Sequence, residues 1–134
     1  MSVLREREFG IVDRLTKRGI TERFPYQAKL HSRLGKFYFR PPGAESWCDV
    51  ILRLRSVLDT LARDYRGERV LIVCHTVVVL CFRSLFETMS EAEILAFDRE
   101  NEVANCSLTT FRFDKKMVRW KNFRAWSNSI LSHH

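Results

Sequence analysis

The stretch richest in chemistry is Arg69 to Phe86, RVLIVCHTVVVLCFRSLF, an apolar run broken by one histidine, His75. Val70 to Cys74 is mostly β-branched and apolar on both faces, which predicts a buried strand. Thr76 to Phe86 is too long to continue that strand and predicts a buried helix, although Val77, Val78 and Val79 are poor helix formers. His75 then falls where a parallel strand ends and a helix begins. Open α/β sheets bind ligands at such places, and the free N–H groups of a helix start favour an anion. An imidazole there can hold a phosphate oxygen. The same pattern fits a core histidine bonded to a carbonyl, and the strand alone does not choose between the two. Cys74 invites comparison with thiol nucleophiles, but a Cys-x5-Arg loop needs arginine where Leu80 stands, and Thr76 to Phe82 is apolar rather than glycine-rich. No Gly-x-x-x-x-Gly-Lys phosphate loop occurs either.

The elements that must position His75 are read from periodicity. Ser46 to Tyr65 is the clearest helix: Trp47, Val50, Ile51, Leu54, Val57, Leu58, Leu61 and Ala62 recur at three- and four-residue steps. Ser46 is its expected N-cap, with Asp49 in capping-box position. Arg66-Gly67-Glu68 stops the helix and feeds the strand, an αβ unit that argues for an α/β sheet. Upstream, Phe9 to Leu15 is weakly helical, ending near Gly19. Thr21 to Pro25 reads as a turn or short helix stopped by the proline. Tyr26 to Leu34 predicts a short helix punctuated by Gly35. Phe37 to Phe39 supply packing, and the prolines of Arg40 to Ala44 require a loop. Downstream, Ser90 with Glu93 is a second capping box opening a helix to about Phe97, and Asp98 to Ala104 reads as a loop. Cys106 to Phe113 predicts a strand, Asp114 to Lys116 a turn, and Met117 to Trp120 the antiparallel return. Asn122 to His134 shows no period, and His133-His134 reads as a loose end.

Composition sets looser limits. A chain of 134 residues makes one domain with a real core. Apolar content is 46%, yet no run is long enough for a membrane span, and MSVLREREFG lacks the apolar segment of a secretory signal. Cys48, Cys74, Cys81 and Cys106 show no Cys-x-x-Cys spacing, which fits reduced core thiols in a cytoplasmic protein rather than a zinc site or disulfide frame. The net charge of +7 suits an anionic partner, but the basic residues are spread along the whole chain. That spread fits a solvated basic surface better than a nucleic-acid groove, so no nucleic acid is expected as partner; the anionic partner expected is a phosphorylated small molecule or phosphate ion.

Four segments then fall in one order. Glu6-Arg7-Glu8-Phe9-Gly10 resembles a pattern of Glu-Arg, one variable residue, an aromatic and Gly. Pro42-Gly43-Ala44-Glu45-Ser46 resembles a Pro-Gly-Gly-Glu-Ser turn leading into a helix. The strand ending at His75, and Asn105 opening Asn-Cys-Ser-Leu, complete the set. Together they resemble the histidine phosphatase superfamily, the phosphoglycerate-mutase-like proteins, from about Leu4 to Asp114. The resemblance implies an α/β fold: a phosphoglycerate-mutase-like sheet with flanking helices. It also implies phosphoryl transfer or hydrolysis of phosphate monoesters with neither metal nor cofactor. In that family a first histidine, in Arg-His-Gly, takes the phosphoryl group. His75 matches the second histidine, which binds the transferring phosphate, and Glu6 matches the proton donor to the leaving oxygen. Arg7 matches the arginine beside that donor. Thr76 stands where the family has Gly, and its N–H is expected to face the phosphate. An acid matched to a departing alkoxide contributes about 10²–10⁴ in rate. Read without the resemblance, Glu6 and Arg7 are a solvated acid and its ion-pair partner.

The departure is as informative as the match. No Arg-His-Gly occurs in the sequence, whose histidines are His31, His75, His133 and His134. The resemblance places the nucleophile's strand before Leu4, so residues 1–134 are expected to form a single incomplete domain, the C-terminal part of a histidine phosphatase truncated at its N-terminus. Such a chain is expected to have little hydrolase or mutase activity alone. Its alternatives are a non-catalytic phosphate-binding or interaction module, or one half of a split phosphatase. A sheet without its central strand also leaves an open edge, so a homodimer or strand-swapped oligomer is expected.

Overall fold

The computed structural model describes residues 4–100, 103–104, 106–114 and 119–126, the last strand residues as backbone. The chain divides into two compact units, Met1–Val78 and Val79–His134.

In the first unit a 3₁₀ turn, Gly10–Val12, precedes α1 (Lys17–Arg23), α2 (Pro25–Tyr38) and α3 (Trp47–Asp64). The Thr16 hydroxyl caps α1 by accepting from the Gly19 N–H at 3.1 Å, so Gly19 lies inside a helix rather than ending one. Phe24 separates α1 from α2, and Pro25 sits at the first position of α2, where its missing N–H costs nothing. Gly35 leaves helical geometry (φ +78°), which breaks α2 where the sequence placed its punctuation.

α3 follows its periodicity closely: Trp47, Val50, Leu54 and Val57 are the buried stripe. Its capping box is complete. Ser46 N–H donates to the Asp49 carboxylate at 2.7 Å, and Asp49 N–H donates to the Ser46 hydroxyl at 3.2 Å. Arg40 adds an ion pair to the same carboxylate, its Nε 2.7 Å from Oδ2.

The expected strand at residues 70–74 is corrected by the structure. This stretch has no strand geometry among the described residues, and Leu71 and Val73 are 78% and 83% exposed rather than buried. A strand exists through the ladder bonds of its neighbours, and the described strands pair only with each other. The helix after it, α4 (Thr76–Glu87), forms as expected, with Val78, Leu80, Cys81 and Phe82 buried.

The second unit holds the rest of α4, then α5 (Glu91–Glu100), β1 (Leu108–Asp114) and β2 (Arg119–Trp126). Ser90 and Glu93 make the second capping box, with Ser90 N–H donating to Glu93 at 2.7 Å. α5 runs on to Glu100, so residues 98–100 are helical rather than loop. Arg83 stacks on the Phe97 ring at 3.7 Å and pairs with Glu87 at 3.0 Å. Phe86 packs on Phe111 of β1 with centroids 4.7 Å apart. β1 and β2 are antiparallel, pairing Leu108 with Trp126 through Asp114 with Arg119, with a register shift between Thr110 and Phe111. The return strand is thus longer than expected and reaches into the segment read as aperiodic. Asn105, the expected turn at 115–116, and His133-His134 lie outside the described residues.

Burial alone would raise the Asp49 carboxyl, but the Ser46 N–H and hydroxyl and the Arg40 guanidinium outweigh it and hold the group below its ordinary value. A depressed folded-state value gives stability that is complete above the ordinary value and is lost as pH falls through the folded one. Asp49→Asn should therefore cost about 1 kcal/mol near neutrality and flatten the stability profile below about pH 4.5, read by urea unfolding at stepped pH.

Candidate active site

The site is built where two loops of the first unit lie against each other. Ile11 N–H donates to the Pro42 carbonyl at 3.2 Å, and Glu45 N–H donates to the Glu8 carbonyl at 3.1 Å. Gly10 makes this approach possible. At φ +57°, a Cβ there would lie 2.2 Å from the Pro42 oxygen and 2.9 Å from the Ala44 nitrogen. Both conditions, left-handed backbone and close approach, demand glycine.

Glu45 fastens the junction. Its carboxylate accepts from the Glu8 N–H at 3.2 Å and from Arg53 Nε at 2.9 Å, and its carbonyl accepts from Arg7 Nε at 2.8 Å. Arg53 also reaches the Arg5 carbonyl with Nη2 at 2.9 Å. The Arg53–Glu45 pair is largely buried, so breaking it strands a charge. Through these bonds α3 sets the path of residues 5–8, and with it the directions of Glu6 and Arg7.

Arg7 is buried, its guanidinium 5.3 Å from the centre of the Phe9 ring. Arg7 N–H donates to Glu6 Oε1 at 2.8 Å, which turns the other carboxylate oxygen outward. That oxygen, Oε2, lies 3.5 Å from Nδ1 of His75. The side chains of His75 and Glu6 are 59% and 36% exposed, so the imidazole is neither packed among aliphatic side chains nor closed off from a ligand. Thr76 opens α4 directly after His75, so the first N–H groups of that helix follow the imidazole in the chain. The site residues expected from sequence, Glu6, Arg7, His75 and Thr76, therefore belong to one unit, and the carboxylate and imidazole meet.

Two neighbours were not singled out by sequence. His31 packs edge-on against Phe39 at 5.1 Å. Partial burial and then the charges of Arg7, Lys17 and Lys36 hold its imidazole below its ordinary value, so this side of Arg7 is cationic. Arg53 was hidden because a helical arginine among many basic residues carries no signal of its partner. Burial and, after it, the charge of Glu6 push the Cys74 thiol up, which suits a resident thiol rather than a nucleophile.

A carboxylate against an imidazole beside a buried arginine is equipped to grip an oxyanion and pass it a proton. Residues 1–125 match the family model described as the histidine phosphatase superfamily (branch 1). The chain belongs to that superfamily. It is 33% identical over 91 residues to human 6-phosphofructo-2-kinase/fructose-2,6-bisphosphatase 3, a match covering 68% of this chain and 17% of that protein. The Gallus gallus 6-phosphofructo-2-kinase/fructose-2,6-bisphosphatase matches at 33% over the same length, 18% of its chain. The chain thus spans less than a fifth of these relatives.

Two solved structures share the fold. Bacillus stearothermophilus YhfR matches with a TM-score of 0.73 and 22% identity, over 92% of this chain and 58% of that one. A mycobacterial glucosyl-3-phosphoglycerate phosphatase, solved with VO3, gives 0.65 and 24%, over 92% and 62%.

Two predictions follow from this geometry. Gly10→Ala should destabilise the chain by about 2 kcal/mol or more. Gly67→Ala, also at positive φ (+80°) but with open space around it, should cost only about 1 kcal/mol; chemical denaturation of both variants separates the close approach from the dihedral. Glu6→Gln should make Cys74 react severalfold faster with iodoacetamide while Cys106 is unchanged, followed by peptide mass spectrometry. An unchanged Cys74 rate would mean that Glu6 does not reach the end of residues 70–74.

Proposed function

We propose that this chain carries the phosphate-gripping and proton-donating part of a phosphate monoester hydrolase site. The juxtaposition of Glu6 and His75 at 3.5 Å, beside the buried Arg7, supports this reading more than any other observation. In the proposed step a nucleophile forms a bond to phosphorus while the bond from phosphorus to the ester oxygen breaks. The leaving oxygen takes its proton from Glu6. His75 and Arg7 donate to the equatorial oxygens, where negative charge is spread as the phosphoryl group passes between oxygen and nucleophile. The Thr76 N–H adds a neutral donor at the helix start.

The family resemblance assigns the phosphoryl-accepting role to an Arg-His-Gly histidine, and the sequence contains no such motif. Residues 1–134 on this reading bind phosphate monoesters or phosphate and turn them over poorly. Loss of a catalytic nucleophile typically costs about 10⁶ in rate. A chain bearing the missing motif would restore turnover, which makes the split enzyme a variant of the same proposal.

Vanadate, present in the mycobacterial phosphatase complex, is the natural probe. Titrating it into the chain should shift the ring resonances of His75, and His75→Ala or Arg7→Met should weaken binding by about tenfold, the worth of one charge-assisted hydrogen bond. Hydrolysis of p-nitrophenyl phosphate should stay near the buffer rate. Absence of a vanadate effect at His75, or hydrolysis that survives His75→Ala, would refute the assignment.

A further inference from the structure

The Lys and Arg residues are spread along the chain, but the acids are not. Residues 14–40 hold eight Lys and Arg against one acid, Glu22, so this segment carries the whole excess of +7. All eight basic residues are exposed, and neither α1 nor α2 buries any of its residues. Arg14, Arg18 and Arg40 pair with Asp13, Glu22 and Asp49. The rest, Lys17, Arg23, Lys29, Arg33 and Lys36, lie on two helices of which α2 contains no acid.

We propose that α1 and α2 dock on an anionic lipid bilayer, with Lys29 and Arg33 at the headgroups and Tyr26, Leu30 and Leu34 at the edge of the acyl chains. Tyr26, Leu30 and Leu34 recur at four-residue steps on α2. Lys29 and Arg33 stand three residues on from Tyr26 and Leu30, so all five share one face. Tyr26 is 69% and Leu34 48% exposed, with Leu30 half covered between them. Basic residues draw a helix to an anionic surface and apolar ones on the same face hold it there; lasting attachment takes both. Lys and Arg stems lie along apolar surface while their charged heads reach the phosphates, so the two kinds of contact do not compete.

The aliphatic residues choose the partner. The phosphates of a nucleic acid would meet the basic residues and a base could stack on Tyr26, but Leu30 and Leu34 offer neither charge nor ring. An acidic groove that wraps a helix needs it free on most sides, whereas α2 packs against both α1 and α3. A bilayer asks for one face, and one face is what α2 presents. The charges of Arg7, Lys17 and Lys36 all act on His31 of α2, so this surface adjoins the candidate site without depending on its chemistry.

Co-sedimentation of the full chain with phosphatidylcholine vesicles, with and without phosphatidylglycerol, tests this. Binding should require the anionic lipid and weaken as salt is raised. Lys29→Glu with Arg33→Glu should weaken it by about tenfold or more. Tyr26→Ser with Leu34→Ser, which leaves every charge in place, should also weaken it by about tenfold. All four positions are exposed, so far-UV circular dichroism should not change. Failure to bind the anionic vesicles overturns the proposal, as does equal binding to the neutral ones. So does binding that ignores the apolar pair, or a single-stranded oligonucleotide bound more tightly than the anionic vesicles at the same salt.

Discussion

The arrangement turns on one close approach, the backbone of Gly10 against the loop at residues 42–44. Gly10 only opens a three-residue 3₁₀ turn and residues 42–44 form a loop, so direct contact has to fix their relation. The absent side chain lets the two strips of backbone come within bonding distance, and the left-handed φ turns the chain so that residues 6–8 run past the start of α3. Glu45 then acts as a fastener with both its backbone and its carboxylate. Arg53, anchored one face further along α3, holds that carboxylate in place. A largely buried ion pair is a poor source of net stability, since desolvation offsets most of the attraction, but it tolerates few alternative geometries. Its effect here is positional: it makes a rigid helix dictate where the segment at residues 5–8 points Glu6.

How much of this could be read in the sequence depended on the range of the forces involved. α3 was legible almost to the residue, because an apolar stripe and a Ser46–Asp49 cap are local signals and the helix satisfies its own backbone. The Ser90–Glu93 cap and the existence of the β1–β2 hairpin were legible for the same reason. α1 differs from the sequence expectation because Gly19 suggests a stop, whereas the Thr16 cap bonded to that glycine's own N–H outweighs its low propensity. α5 outran its expected end because Arg99 and Glu100 are good helix formers, and one poor former, Asp98, costs an established helix only a few tenths of a kcal/mol, about 0.7 at most.

The misread stretch, residues 70–74, failed for a different reason. Its composition states what environment it suits, and that reading is intact: β-branched residues apolar on both faces suit the middle of a sheet. Composition cannot supply the neighbours. Ladder bonds belong to pairs of strands, and among the described residues no second strand comes to this one. The site residues show the same division. Motif order brings Glu6 and His75 together, and the structure sets them 3.5 Å apart, but Arg53 emerged only with coordinates, since its role is defined by what it touches.

The exposed residues 70–73 and the exposed pair of His75 and Glu6 are close along the surface, and this bears on chemistry. His75 is the next residue after the uncovered segment, and Glu6 reaches it from the side, so water that wets Leu71 and Val73 also wets the imidazole and carboxylate. An interaction between charges weakens about fourfold between an effective dielectric of 20 and that of bulk water. A pair held at the right distance but in water can therefore orient a phosphate without stabilising much of the charge that develops when its ester bond breaks, because that help comes from fixed dipoles in a dry site. Geometry and dryness are separable requirements. The junction of Gly10, Glu45 and Arg53 supplies the first, while the 59% and 36% exposure of the His75 and Glu6 side chains shows that the described residues do not by themselves supply the second.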